Sequence, residues 1–135
     1  MEQTQDNDSK YFDVLESKPR LQLKDTSNAT SPDRGVKNDN QKPPLDLIDP
    51  HFEQDVAEVL GYGAMKYELD NWKKGMAVGK LIAGVRRHLN ALQRGEYMDP
   101  ETGFQHMAHA ACGIMFLHYQ VRTGMVHIPD DRWDA

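Results

Sequence analysis

The sequence predicts an all-α fold, a small helical bundle built on a helical hairpin and preceded by a flexible N-terminal arm. Residues 79 to 122 carry apolar residues at helical spacing in two runs separated by an acidic turn. Residues 51 to 67 repeat theirs at i, i+4 and i+7, the pattern of one further amphipathic helix. The size of the core is bounded by composition: 135 residues suit one domain, and 39% hydrophobic content falls below the usual ~45–50%. With a mean hydropathy of −0.74, a polar tail or an oligomer that completes the core is expected. The formal net charge of −5 argues against a binder of nucleic-acid polymers, whose footprint is basic.

Residues 1 to 34 hold a polar start, a short patch KYFDVLESKPRLQL and the stretch KDTSNATSPDRG, rich in Ser, Thr, Asn, Asp and Pro. This part is expected to be a flexible arm or an arm that docks on a partner subunit. Its first ten residues show no basic patch followed by an apolar run, so no secretory signal is expected. No apolar stretch reaches the ~18 residues of a membrane span. The single Cys112, with Ala110, Ala111 and Gly113 around it, reads as part of a helix packing face and fits a cytoplasmic setting.

From residue 35 the character changes. Lys37, Asp39 and Lys42 are spaced through GVKNDNQKPPLDLIDP, where prolines at 43, 44 and 50 disfavour helix and favour extended backbone. Such a segment can lay side chains along a ligand, or serve as a solvated linker anchored by Leu45, Leu47 and Ile48. Asp49 before Pro50 predicts an N-cap with proline at the first helical position. In the helix that follows, Phe52, Val56, Val59, Leu60, Gly63 and Tyr67 share a face, and Lys66 lies at its edge, able to reach a groove beside the core. Asp70, Asn71 and Gly75 end this helix, and Trp72 fits either a plug for the bundle end or a stacking surface for a base.

The first arm of the hairpin carries Leu81, Ile82, Val85, Leu89 and Leu92, with His88 in the stripe, either a hydrogen-bonded core residue or a ligand. Gly84 and Ala91 beside it mark close helix packing or room for a ligand, and Arg86, Arg87 and Arg94 give a positive edge suited to phosphate or to solvated ion pairs. Gly95 stops the arm. In the turn, Asp99, Glu101 or Thr102 is expected to cap the next helix, while Glu96 and Asp99 stand at the E-x-x-D spacing that puts two carboxylates on one face of a helical turn, suited to a divalent metal. On the second arm His106 and His109 share a face with Gly113, and His118 points away. Two histidines at i and i+3 can bind one metal or approach one phosphate, although the intervening Glu of zinc-peptidase helices is lacking.

Over residues 35 to about 120, the ordered set GVKNDNQKP, LDLIDP, YGAMKYELDNW and RRHLNALQRGEYMDPETGFQHMAHA resembles the phage dATP/dGTP diphosphohydrolases, relatives of the MazG-like all-α nucleoside triphosphate pyrophosphohydrolases. The resemblance implies a MazG-like helical bundle over residues 35–125, followed by a tail at 126–135 whose Trp133 suits docking on a partner subunit. It implies a homo-oligomer, dimer or tetramer, that uses Mg²⁺ or Mn²⁺ to cleave a purine deoxynucleoside triphosphate to monophosphate and pyrophosphate in the host cytoplasm. In some phages such an enzyme supplies dGMP for 2-aminoadenine DNA.

The motif positions carried over are Lys37, Asp39, Lys42, Lys66, Asn71, His88, Glu96, Asp99, His106 and His109. The superfamily's usual E-x-x-E and E-x-x-D helix pairs are replaced here by Val85 with His88 and by His106 with His109, which implies that metal ligation has moved to the turn. In this reading Glu96 and Asp99, with His106 or His109, hold the ions. Glu101 or a neutral histidine takes the proton of water, Lys37, Lys42, Lys66 or Arg87 neutralise the leaving pyrophosphate, and Trp72 is counted among the substrate-binding residues. A reading from another class is a non-catalytic helical module that binds a nucleotide or a protein.

Overall fold

The computed structural model describes residues 35–125. The expected N-terminal arm and the C-terminal tail with Trp133 lie outside the described residues. The chain divides into two units, Met1–Leu45 and Asp46–Ala135. In the first, residues 35–45 are irregular, with a turn in which Lys42 N donates to Asp39 O and Gln41 takes a positive φ of 68°. A single 3-10 turn follows at Leu45–Leu47. Leu45, Leu47 and Ile48 are exposed, so they do not anchor this segment in a core.

The described residues of the second unit hold three helices: α1 (Pro50–Lys66), α2 (Val78–Gln93) and α3 (His106–Arg122). Asp49 caps α1 as its sequence demands, its Oδ1 accepting from His51 N at 3.0 Å with Pro50 at the first position. α1 gives way at Tyr67, the chain passes Asp70 in the left-handed region at φ 58°, and a 3-10 turn at Asn71–Lys74 leads to Gly75 at φ 89°. α2 ends at Gly95, whose φ of 88° glycine adopts without strain.

α2 and α3 form the expected hairpin, and α1 packs on α3. The hairpin closes tightly at Gly113, where a Cβ would stand only 2.5 Å from Val85 Cγ2. α1 and α3 meet through Val59, Ala108 and Cys112, flanked by Val56, Leu60, Phe104 and Phe116. Cys112 is buried, its Sγ 3.6 Å from Val56 O, and burial pushes its thiol up to about 11, as befits a packing residue. The connection between α1 and α2 is fastened to α3 by Gln120, which accepts from Met76 N at 2.7 Å and donates to Met76 O at 2.9 Å. Trp72 stacks on Phe116 with ring centroids 4.9 Å apart and meets Tyr119 edge-on.

Three expectations about packing need correction. Ile82 and Leu89 sit in the predicted core stripe of α2 yet are 43% and 46% exposed, because α3 covers only the side of α2 that holds Leu81, Val85 and Ala91. Phe52 and Tyr67, assigned to the buried face of α1, are exposed for the same reason, since among the described residues α1 packs chiefly on α3 and buries only Val59 fully. The turn between α2 and α3 is not helical, so Glu96 and Asp99 do not share a face of a helical turn, and neither Asp99, Glu101 nor Thr102 caps α3. Backbone pairing takes over instead: Met98 and Gln105 form an antiparallel bridge and Gln105 occupies the N-cap position without a side-chain bond.

Candidate metal centre and cavity

The turn is built from backbone hydrogen bonds that fold it back on itself. Asp99 N donates to Phe104 O at 2.8 Å, Gly103 N to Asp99 O at 2.7 Å, and His106 N to Tyr97 O at 2.9 Å. This carries Asp99 inward until it is 8% exposed, with Oδ1 accepting from Glu101 N at 2.9 Å and Oδ2 left facing His109 Nε2 at 3.8 Å. α3 then starts at His106, which is 6% exposed, and brings His109 round one turn later.

His88 of α2 meets both. Its Nδ1 lies 2.9 Å from His106 Nδ1, so one of the two nitrogens carries the proton. Its ring stacks on that of His109 at 4.7 Å and 6°. Burial lowers the His88 pKa, reinforced by His109 and His106, and the carboxylate of Asp99 opposes the shift only in part. His109 is likewise lowered by burial against the pull of Asp99. Both imidazoles are therefore neutral at pH 7 and present lone pairs, the form in which histidine binds metal or takes a proton. His109 Nε2 is held 2.7 Å from Thr102 Oγ1.

The ligand atoms of His88, Asp99 and His106 all lie within 4.8 Å of one another. A divalent metal fits this group on an observation independent of the spacing. His106 Nε2 is buried without a hydrogen-bond partner among the described residues, Glu96 Oε2 standing 3.4 Å away without the alignment of a hydrogen bond. A buried imidazole nitrogen left so is costly unless something else engages it. Two imidazoles and one carboxylate suit a first-row transition ion better than Mg²⁺, which prefers an all-oxygen shell.

His88 and His109 also line a cavity of about 650 Å³ between α1, the 3-10 turn at Asn71–Lys74, α2 and α3, within the range of small-molecule sites. Lys66, Asn71, Trp72 and Lys80 line it as well. The Lys66 ammonium is pushed up chiefly by the neighbouring Tyr67 hydroxyl and stays charged. One face of Trp72 is occupied by Phe116, which leaves it both a plug and a wall.

The structure thus brings His88, Asp99, His106 and His109 together, with Glu96 at their edge and Lys66, Asn71 and Trp72 along the cavity. Glu101 is exposed, its backbone N tied to Asp99. Arg87 is exposed on α2, and His118 is exposed on α3. In the segment 35–45, Lys37 and Asp39 are exposed and pair with each other at 3.9 Å, and Lys42 is exposed. Sequence reasoning missed Thr102 as the partner of His109 and Lys80 as a cavity residue. For Lys80 the signal was present, since residues 80, 84 and 88 follow one another at i, i+4 and i+8 on one face. For Thr102 none was, because a turn without helical period does not reveal which side chain it aims back.

A family described as dATP/dGTP diphosphohydrolase, N-terminal, matches residues 32–128. A dATP/dGTP diphosphohydrolase of Salmonella phage PMBT28 is 42% identical over 101 residues, which are 75% of this chain and 34% of that relative. The chain therefore spans about a third of the length of the curated relative it matches. No solved structure matches the chain.

Proposed function

The chain belongs to the dATP/dGTP diphosphohydrolase family, in the part described as N-terminal, and on that premise we propose that it hydrolyses dATP and dGTP to the monophosphate and pyrophosphate with the help of a divalent metal. The observation that carries this reading is the meeting of His88, Asp99 and His106, with His88 also lining a cavity that Lys66 and Lys80 line. His88, Asp99 and His106 would hold the ion, with Glu96 beside His106 as a further oxygen donor. When bound, such an ion supplies positive charge to the phosphates and Lewis acidity, the main requirements of phosphoryl transfer.

The side chains divide the remaining work. His109, neutral and fixed by Thr102, accepts a proton from the attacking water. The water oxygen bonds to the α-phosphorus as the bond from that phosphorus to the bridging oxygen breaks, and pyrophosphate leaves with the bridging oxygen. Lys66 offsets its charge from α1, and Asn71 and Trp72 hold the nucleoside. The monophosphate from dGTP is dGMP, a precursor for modified phage DNA. Residues 35–125 form the nucleotide-hydrolysing domain, and it acts as a homo-oligomer.

Incubating the protein with each deoxynucleoside and ribonucleoside triphosphate, with Mg²⁺ or Mn²⁺, and separating the products tests the reading. Monophosphate with pyrophosphate is expected, with Mn²⁺ the better activator. Diphosphate with phosphate would mean a different phosphohydrolase, and no turnover would leave a nucleotide- or protein-binding module. Replacing His106 and His109 by Ala abolishes turnover while circular dichroism stays helical. Activity within about threefold of the parent would reject the site.

A further inference from the structure

Helix α2 has a glycine in mid-helix, Gly84, where alanine would serve the helix better because glycine has more backbone freedom to lose on folding. In this hairpin close packing explains one such residue: at Gly113 an added Cβ would collide with Val85. That explanation fails at Gly84. A Cβ there would meet nothing nearer than Arg87 Nη2 at 3.8 Å, the free end of a flexible side chain. Gly84 lines the cavity instead, one turn after Lys80 and one turn before His88. Gly63 of α1 lines the same cavity with open space where its Cβ would be. The side chains missing at these two positions are volume in the cavity, not room for a neighbouring helix.

We propose that Gly84, with Gly63 on another wall, is a specificity-determining residue that keeps the cavity open for the sugar of the bound nucleotide. The inference rests on the function proposed above: His109 takes the proton of the water that attacks the α-phosphorus, and His88 stacks on His109, so the α-phosphate lies beside His88. At 1.5 Å per residue, Gly84 stands about 6 Å further along α2. The α-phosphate carries the sugar on one side and the pyrophosphate on the other; with the pyrophosphate held by Lys66 of α1 and the nucleoside by Asn71 and Trp72, the sugar passes over the bare backbone of Gly84. A side chain at 84 excludes the nucleoside while leaving a bare phosphate chain free to bind.

Two substitutions separate space from helix stability, because alanine and leucine are both better helix formers than glycine. Binding of the α,β-methylene analogues of dATP and dGTP, and of inorganic tripolyphosphate, is measured by calorimetry in the presence of Mn²⁺. G84A is expected to weaken both nucleotide analogues about tenfold and G84L about a hundredfold, the scale on which a filled pocket rejects a group. The binding of tripolyphosphate stays unchanged, and the melting temperature of G84A is equal to or above that of the parent, whereas G113A melts lower. Nucleotide binding by G84L equal to the parent's overturns the proposal, as does an equal loss of tripolyphosphate or a lower melting temperature in G84A. Loss of one analogue but not the other would place the base at Gly84 and overturn the sugar assignment. A parent protein that binds neither nucleotide nor tripolyphosphate would instead reject the functional reading itself.

Discussion

His88 and His109 stack in parallel inside a half-buried cluster that also holds His106 and Asp99, and their titration couples the cluster to the stability of the fold. In the unfolded chain a histidine takes up its proton near 6.5, whereas burial in the folded protein postpones this to lower pH for both residues. Between those two values the unfolded state binds more protons, so stability is full above 6.5 and falls as the pH drops towards the folded values. The metal-free protein should therefore melt at progressively lower temperature from pH 7.5 to pH 5, a range of about one unit above and more than one below the free imidazole pKa. The slope should be shallower in H88N and H109N, and an unchanged slope in both variants would remove these residues from the acid response. The pairing of His106 with His109 was legible in the sequence because i and i+3 fix a shared helical face. The Nδ1 contact between His88 and His106 was not, since it depends on the register of two helices and on a tautomer that periodicity does not encode.

α1 and α2 were legible as elements because each carries its own punctuation, Asp49 and Pro50 ahead of α1 and Gly95 behind α2, and α3 because of its apolar spacing alone. What joins them was not. The turn from Arg94 to Gln105 reads as acidic and helix-capping, but its shape is set by backbone pairing across Met98 and Gln105. The connection from Tyr67 to Ala77 is fixed by a residue 44 positions away, Gln120, which is 1% exposed and satisfies both backbone groups of Met76. Leucine at 120 keeps the volume but leaves Met76 N and O without partners in a partly buried setting, which costs towards the lower end of about 1–3 kcal/mol. Chemical denaturation of Q120L should show that loss. Because Met76 and Trp72 both line the cavity, the same variant should raise the KM for nucleotide more than it lowers kcat. Stability and KM both equal to the parent's would show that the stacking of Trp72 on Phe116 suffices to hold the connection.

At the scale of the molecule, the described residues bury few large apolar side chains. Val59, Leu81 and Cys112 are joined in the buried set by three alanines, Ala91, Ala108 and Ala110. Small residues let α2 and α3 approach, yet they remove little apolar surface from water. Ile82 and Leu89 on α2 stay 43% and 46% exposed, and Met107 and Ile114 on α3 stay 40% and 55% exposed. Each pair is seven residues apart and so lies on one face of its helix. Apolar stripes on both arms of one hairpin are what a second copy of the chain would cover, and the expectation of an oligomer from the low hydrophobic content is testable on them. Glutamate at 82 and 114 puts charge into such an interface, where burial without a partner is costly, but into open water if the chain is a monomer. Sedimentation equilibrium of the parent should give a dimer or tetramer, and I82E/I114E should shift it to the monomer with its helical circular dichroism retained. A parent that sediments as a monomer, or a double variant that sediments as the parent does, would leave these stripes without a role in assembly.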